Sequence, residues 1–115
     1  MGALRMTPDM VPAVAYLPPS ERILGGTPQQ TVVDGYATED GKFSAGFWTG
    51  EPGRWRVAYT EHELCHLIEG EVVLRGDDGS SATYRAGDSF VVPAGFQGEW
   101  EVVRAARKLY AIYQP

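Results

Sequence analysis

Turn-forming residues cut this chain into pieces too short for helices of ordinary length. Asp40-Gly41, Glu51-Pro52-Gly53, Gly70, Gly76-Asp77-Asp78-Gly79, Ala86-Gly87-Asp88 and Pro93-Ala94-Gly95 follow one another at short intervals. The segments between them are rich in Val, Tyr, Phe, Trp and Thr, side chains that suit a pleated, half-buried surface. The spacing predicts strands over 43–49, 54–60, 63–69, 71–75, 81–85, 89–92, 98–103 and 107–113. Many short strands so punctuated describe an all-β sandwich or small barrel.

Several segments alternate. Trp55, Val57 and Tyr59 share one parity and Arg54, Arg56 and Ala58 the other. Trp100 and Val102 interleave with Glu99, Glu101 and Val103, and Lys108, Tyr110 and Ile112 with Leu109, Ala111 and Tyr113. Each strand therefore has two unlike faces. With 115 residues the chain is one domain. A domain of this size buries roughly 65% of its unfolded surface, enough for a core without staples.

Residues 1–30 are Pro-rich and weakly patterned. They are expected to form an irregular arm, packed on the barrel or on a partner subunit, ahead of a domain over 31–115. A short strand near 31–33 or 36–37 is expected to follow them. Ten basic against fifteen acidic residues give a formal charge of −5, which argues against nucleic acid or an anionic membrane as partner. Met10–Pro19 carries Pro12, Pro18 and Pro19 and does not read as a signal peptide. The single Cys65 builds no disulfide framework, so a cytoplasmic location is expected.

Residues 62–66 read His-Glu-Leu-Cys-His, the H-E-x-x-H pattern of zinc peptidases. That chemistry needs a helix, which places both imidazoles on one face. Here the flanks read as strands, where positions i and i+4 stand about 13 Å apart. The preferred reading is an extended segment that turns Glu63, Cys65 and Leu67 inward and His62 and His66 outward.

A longer series of blocks resembles the cupins. It runs Gly46-Phe47-Trp48, Glu51-Pro52-Gly53-Arg54-Trp55, Glu63-Leu64-Cys65-His66-Leu67-Ile68-Glu69-Gly70-Glu71-Val72 and Asp78-Gly79. Ala86-Gly87-Asp88-Ser89-Phe90-Val91-Val92-Pro93-Ala94-Gly95-Phe96, Gly98-Glu99-Trp100-Glu101 and Arg107-Lys108-Leu109-Tyr110 complete it. These blocks are similar to the small single-domain cupins related to the ureidoglycine aminohydrolase family. The resemblance implies a double-stranded β-helix, an RmlC-like jelly-roll barrel with a ligand cavity between its sheets. Gly70 is expected to close a tight turn between two strands of it.

The resemblance also implies where a metal would sit. Metal-binding cupins carry two His spaced H-x-H, a Glu shortly after, and a further His later. Aligned on Gly70 and on Pro93-x-Gly95, those positions fall on Val57, Tyr59, Glu63 and Gly98. One carboxylate does not hold Zn, Mn or Fe, which take three or four protein ligands. No cofactor is therefore expected, and Gly98 is expected to leave room for a ligand.

By parity the cavity is an aromatic-walled pocket. Trp55, Tyr59, Cys65, Trp100 and Tyr110 are its candidate ligand-binding residues. Glu63 and Lys108 are its candidate catalytic pair, since a buried carboxylate needs a cation or a proton. The leading reading is a small-molecule-binding cupin of the ureidoglycine aminohydrolase-like type with a degenerate metal site. A metal-dependent enzyme on a small nitrogen compound is one alternative, and a non-catalytic dimerisation or ligand-sensing barrel another. Whether the barrel catalyses a reaction stays open. Exposed edge strands and the family's habit imply a homodimer.

Overall fold

The computed structural model describes all residues, 1–115. Nine strands and one 3-10 turn follow the punctuation. They are β1 (Val14–Tyr16), the turn Ser20–Arg22, β2 (Ile23–Gly26), β3 (Gln30–Ala37), β4 (Phe43–Gly50) and β5 (Gly53–Ala58). Then come β6 (His62–Gly76), β7 (Ser81–Arg85), β8 (Ser89–Val92) and β9 (Gln97–Tyr113). All pairings are antiparallel. No helix is long and apolar enough to cross a membrane.

The barrel is two sheets that share the long strands β6 and β9. One sheet runs β1-β3-β4, then the second half of β9, the first half of β6, and β8. The other runs β2-β5, then the first half of β9, the second half of β6, and β7. Both long strands pass from one sheet to the other midway, which folds the assembly into an all-β cupin jelly roll.

That crossing corrects the expected hairpin at Gly70. Strands over 63–69 and 71–75 are in fact one strand, bulged where its register with β9 shifts between Leu67 and Val72. The bulge exchanges the two faces of β6. Glu63, Cys65 and Leu67 point inward before it; Val72 and Leu74 do so after it. Gly70 sits in the bend at φ +89°. A Cβ there would overlap the Ala105 carbonyl oxygen and lie 2.7 Å from Ala106 Cα, so the two long strands cross where only glycine fits. The expected strands 98–103 and 107–113 are likewise one, and β9 keeps one parity inward from Trp100 to Tyr110.

Residues 1–30, expected to be irregular, carry β1 and β2. β1 pairs with the β3 edge of one sheet and β2 with the β5 edge of the other. Residues 17–22 therefore bridge the two edges across one side of the sandwich. The expected short strand after the arm is the eight-residue β3.

The core lies between the sheets. Trp48, Trp55, Cys65, Leu67, Val72, Leu74, Phe90, Val92, Trp100, Val102, Ala106 and Tyr110 form one buried cluster. Full burial of such side chains is worth about 1.5–3 kcal/mol each for the aliphatic and Phe members. Trp48, Trp55 and Trp100 meet in it with centroids 5.7–6.4 Å apart, and Trp55 and Trp100 lie nearly parallel, at 15°.

Candidate functional site

β6 runs extended from His62, and its alternation sends Glu63 into the barrel. Glu63 is 5% exposed. Lys108, on the inward face of β9, is 4% exposed, and its Nζ stands 2.9 Å from Glu63 Oε2. The other carboxylate oxygen, Oε1, accepts a hydrogen bond from Tyr59 Oη at 2.7 Å. Tyr59 Oη in turn accepts one from Trp100 Nε1 at 3.1 Å. Burial, reinforced by the Glu63 carboxylate, raises the Tyr59 pKa well above that of a free phenol. Tyr59 is thus a neutral donor to Glu63.

Lys108 Nζ lies 4.7 Å from the ring centroid of Trp48 and 4.3 Å from that of Trp100. Both indoles are within cation–π range. Gln30 Oε1 accepts from Trp48 Nε1 at 2.8 Å and so fixes that ring. Burial pulls the Lys108 pKa down, the Glu63 and Cys65 groups outweigh it, and the net pKa is raised. Every buried side-chain nitrogen and oxygen in the molecule has a hydrogen-bond partner.

Above this pair opens a cavity of about 590 Å³. Trp48, Trp55, Trp100, Val32, Val57 and Ile112 supply much of its apolar wall. Its polar groups include Glu63, Lys108, Tyr59, Gln30, and Asp34 with Tyr110, whose Oη donates to Asp34 Oδ1 at 3.0 Å. Tyr16, Pro18, Pro19 and Arg22 reach it from the bridging arm.

Of the residues singled out in the sequence, Glu63, Lys108, Trp55, Tyr59, Trp100 and Tyr110 meet around this cavity. Cys65 does not. It is fully buried in the core, and burial pushes its thiol up to about 12. Gln30, Trp48, Asp34 and the arm residues were not foreseen as lining. Trp48 shares its parity with Ser44, another lining residue, so the alternation of β4 was the available signal. The arm and β3 are weakly patterned and offered none.

His62 and His66 sit on the outer face of β6. His62 stacks on Tyr113 and its Nδ1 accepts from the Ala94 amide at 3.1 Å; His66 Nδ1 pairs with Ser89 Oγ at 2.8 Å. The extended backbone thus rules out the zinc-peptidase geometry.

The positions that the resemblance implies for a metal do not fit one here. Val57 has no donor, and both Glu63 oxygens are engaged by Tyr59 and Lys108. Gly98 does not enlarge the cavity as expected. A Cβ at 98 would overlap the Arg75 carbonyl oxygen and lie 2.9 Å from Gly76 Cα, so this backbone leaves no space there for an imidazole. No three His, Cys, Asp or Glu side chains are grouped to hold an ion.

The EutQ-like cupin domain family matches residues 37–110. This chain belongs to that family. A crystal structure of a DUF861-family protein of unknown function from Pseudomonas syringae pv. tomato superposes on it with a TM-score of 0.80 at 28% identity. The match covers 90% of this cupin and 45% of the Pseudomonas chain, so the cupin spans just under half of that relative's length. The ethanolamine utilization protein EutQ of Salmonella typhimurium aligns at TM-score 0.65 and 23% identity, over 77% of this chain and 71% of its own. Clostridium difficile EutQ aligns at TM-score 0.68 and 19% identity, over 86% and 80%. The last two likenesses speak for the fold. Comparison with curated proteins found no match. The sequence resemblance thus stands at the level of the cupin family, with the EutQ-like domain as the branch that matches.

Proposed function

We propose that this cupin binds a small organic molecule in the cavity above Glu63 and Lys108. The observation that carries the reading is the cavity itself. Its volume, about 590 Å³, falls within the usual range for small-molecule sites. Its walls are aromatic and aliphatic, with a few converging polar groups, the make-up such sites share. Trp55 and Trp100 offer flat indoles, while Tyr110 with Asp34 and Tyr59 with Glu63 offer hydrogen-bonding edges. These favour a compact ligand with a flat face and a polar rim. Small nitrogen compounds of the kind aminohydrolases act on have that shape, which is the finer form of the reading.

A thermal-shift screen of small amides, ureido compounds, amines and carboxylates against the purified chain tests it. A hit should quench tryptophan fluorescence, since three indoles line the cavity. Its affinity should fall at least tenfold in Tyr110→Phe or Glu63→Gln. A screen without hits, or hits indifferent to both substitutions, would overturn the reading.

A further inference from the structure

Glu63 occupies the one cupin metal position that keeps a metal-ligating carboxylate, and Tyr59 occupies the position two residues after Val57. Tyr59 bonds to one oxygen of the Glu63 carboxylate, and the other meets a charge the chain supplies itself. We infer that the Lys108 ammonium is a tethered cation that stands in place of the metal and keeps divalent ions off Glu63.

Occupancy is the first argument. Lys108 Nζ takes Glu63 Oε2 at 2.9 Å and Tyr59 Oη takes Oε1 at 2.7 Å, so each carboxylate oxygen already has a partner. A zinc-like ion bonds a carboxylate oxygen at about 2.0–2.2 Å. At that distance from Oε2 it would stand beside an ammonium, in a place where little water screens like charges.

The cradle around the ammonium is the second. The rings of Trp48 and Trp100, 4.7 and 4.3 Å from Nζ, present π faces to it. Such faces attract a cation without donating a lone pair to a metal. Gln30 holds the Trp48 indole by its N–H and Tyr59 holds that of Trp100, so the cradle is braced from outside. Residue type is the third. Lys42 and Lys108 are the only lysines among ten basic residues, and Lys42 lies in the exposed turn between β3 and β4. The Lys108 ammonium is a compact point charge, and a single atom, Nζ, meets Glu63 Oε2 and both indole faces at once.

The positive charge at the cavity floor is therefore built in and independent of metal supply. This inference goes beyond the ligand-binding reading and needs no ligand to be true. Its test uses metal ions alone, so either can fail without the other.

The wild-type chain is titrated with Co2+ and with Zn2+ by calorimetry, beside Glu63→Gln. No uptake that depends on Glu63 is expected. Stoichiometric uptake abolished by Glu63→Gln would overturn the inference. Two imidazoles are then added in Val57→His/Tyr59→His, with Lys108 kept or replaced by Met. Near-ultraviolet circular dichroism of the indoles checks folding. Co2+ ligand-field bands are expected in the triple variant, at least tenfold tighter than in the double. Equal binding in both, or none in the folded triple variant, would show that Lys108 excludes nothing. Should the variants fail to fold, Glu63-dependent uptake by the wild-type chain still overturns the inference.

Discussion

Lys108 Nζ and Glu63 Oε2 stand 2.9 Å apart at the base of an aromatic cavity, on two strands that are neighbours in the barrel. Each side chain is almost wholly withdrawn from water, at 5% and 6% side-chain exposure. A buried pair of this kind contributes little net stability over apolar residues of equal volume, yet removal of one partner strands the other charge. Glu63→Gln and Lys108→Met should each cost about 3–5 kcal/mol, and Glu63→Leu/Lys108→Met should recover most of it. Urea unfolding of the four proteins measures this. Single substitutions that cost less than about 1 kcal/mol would mean that the pair is not buried in solution.

Alkaline pH should unfold the protein through several groups acting in the same direction. The folded Lys108 pKa is raised, so its stabilisation is complete below the unfolded value, about 10.4, and is lost as pH rises through the folded value. The Cys65 thiol is pushed by burial from 9.0 to about 12, so the unfolded thiol ionises first and stability falls across that interval. Burial raises Tyr59 as well, with the same sign. Stability measured in urea should be level near neutrality and decline above about pH 9. Cys65→Ala should soften the decline between 9 and 12. Stability that rises with pH over that interval would contradict these assignments.

Cys65 should be chemically silent in the folded state. It has no exposed surface, and the thiolate is the reactive form. Ellman's reagent at pH 8 should leave the native thiol unmodified and titrate one thiol in denaturant. Rapid modification without denaturant would place Cys65 at the cavity surface after all.

Gly70→Ala should be far costlier than an ordinary strand substitution. It combines a positive φ with overlap against the carbonyl of Ala105 on the crossing strand. About 2–4 kcal/mol is expected from these two effects together, read from the urea midpoint. The same change at Gly41, in an open turn at φ +73° with nothing near its Cβ, should cost about 1–2 kcal/mol, the conformational part alone. Equal losses at both sites would remove the crossing as the cause.

What could be read along the chain was local. Gly, Pro and Asp at short intervals allow strands and little else, and period-2 alternation assigns each side chain a face. That was enough to turn Glu63 inward, to set His62 and His66 outward, and to bring Trp55, Tyr59, Trp100, Lys108 and Tyr110 toward one cavity. Continuity was not legible, because glycine serves a bulge as readily as a hairpin. At Gly70 the choice was made by β9, which pairs with β6 on both sides of the bend. The same holds for Gly98, where the β6 backbone, distant in sequence, fills the space a side chain would need. Trp48 and Gln30 joined the site because β4 and β3 pair beside β9, and residues 16–22 because β1 and β2 attach to opposite sheet edges. Alternation decides which way a side chain points; only the pairing of distant strands decides what it meets there.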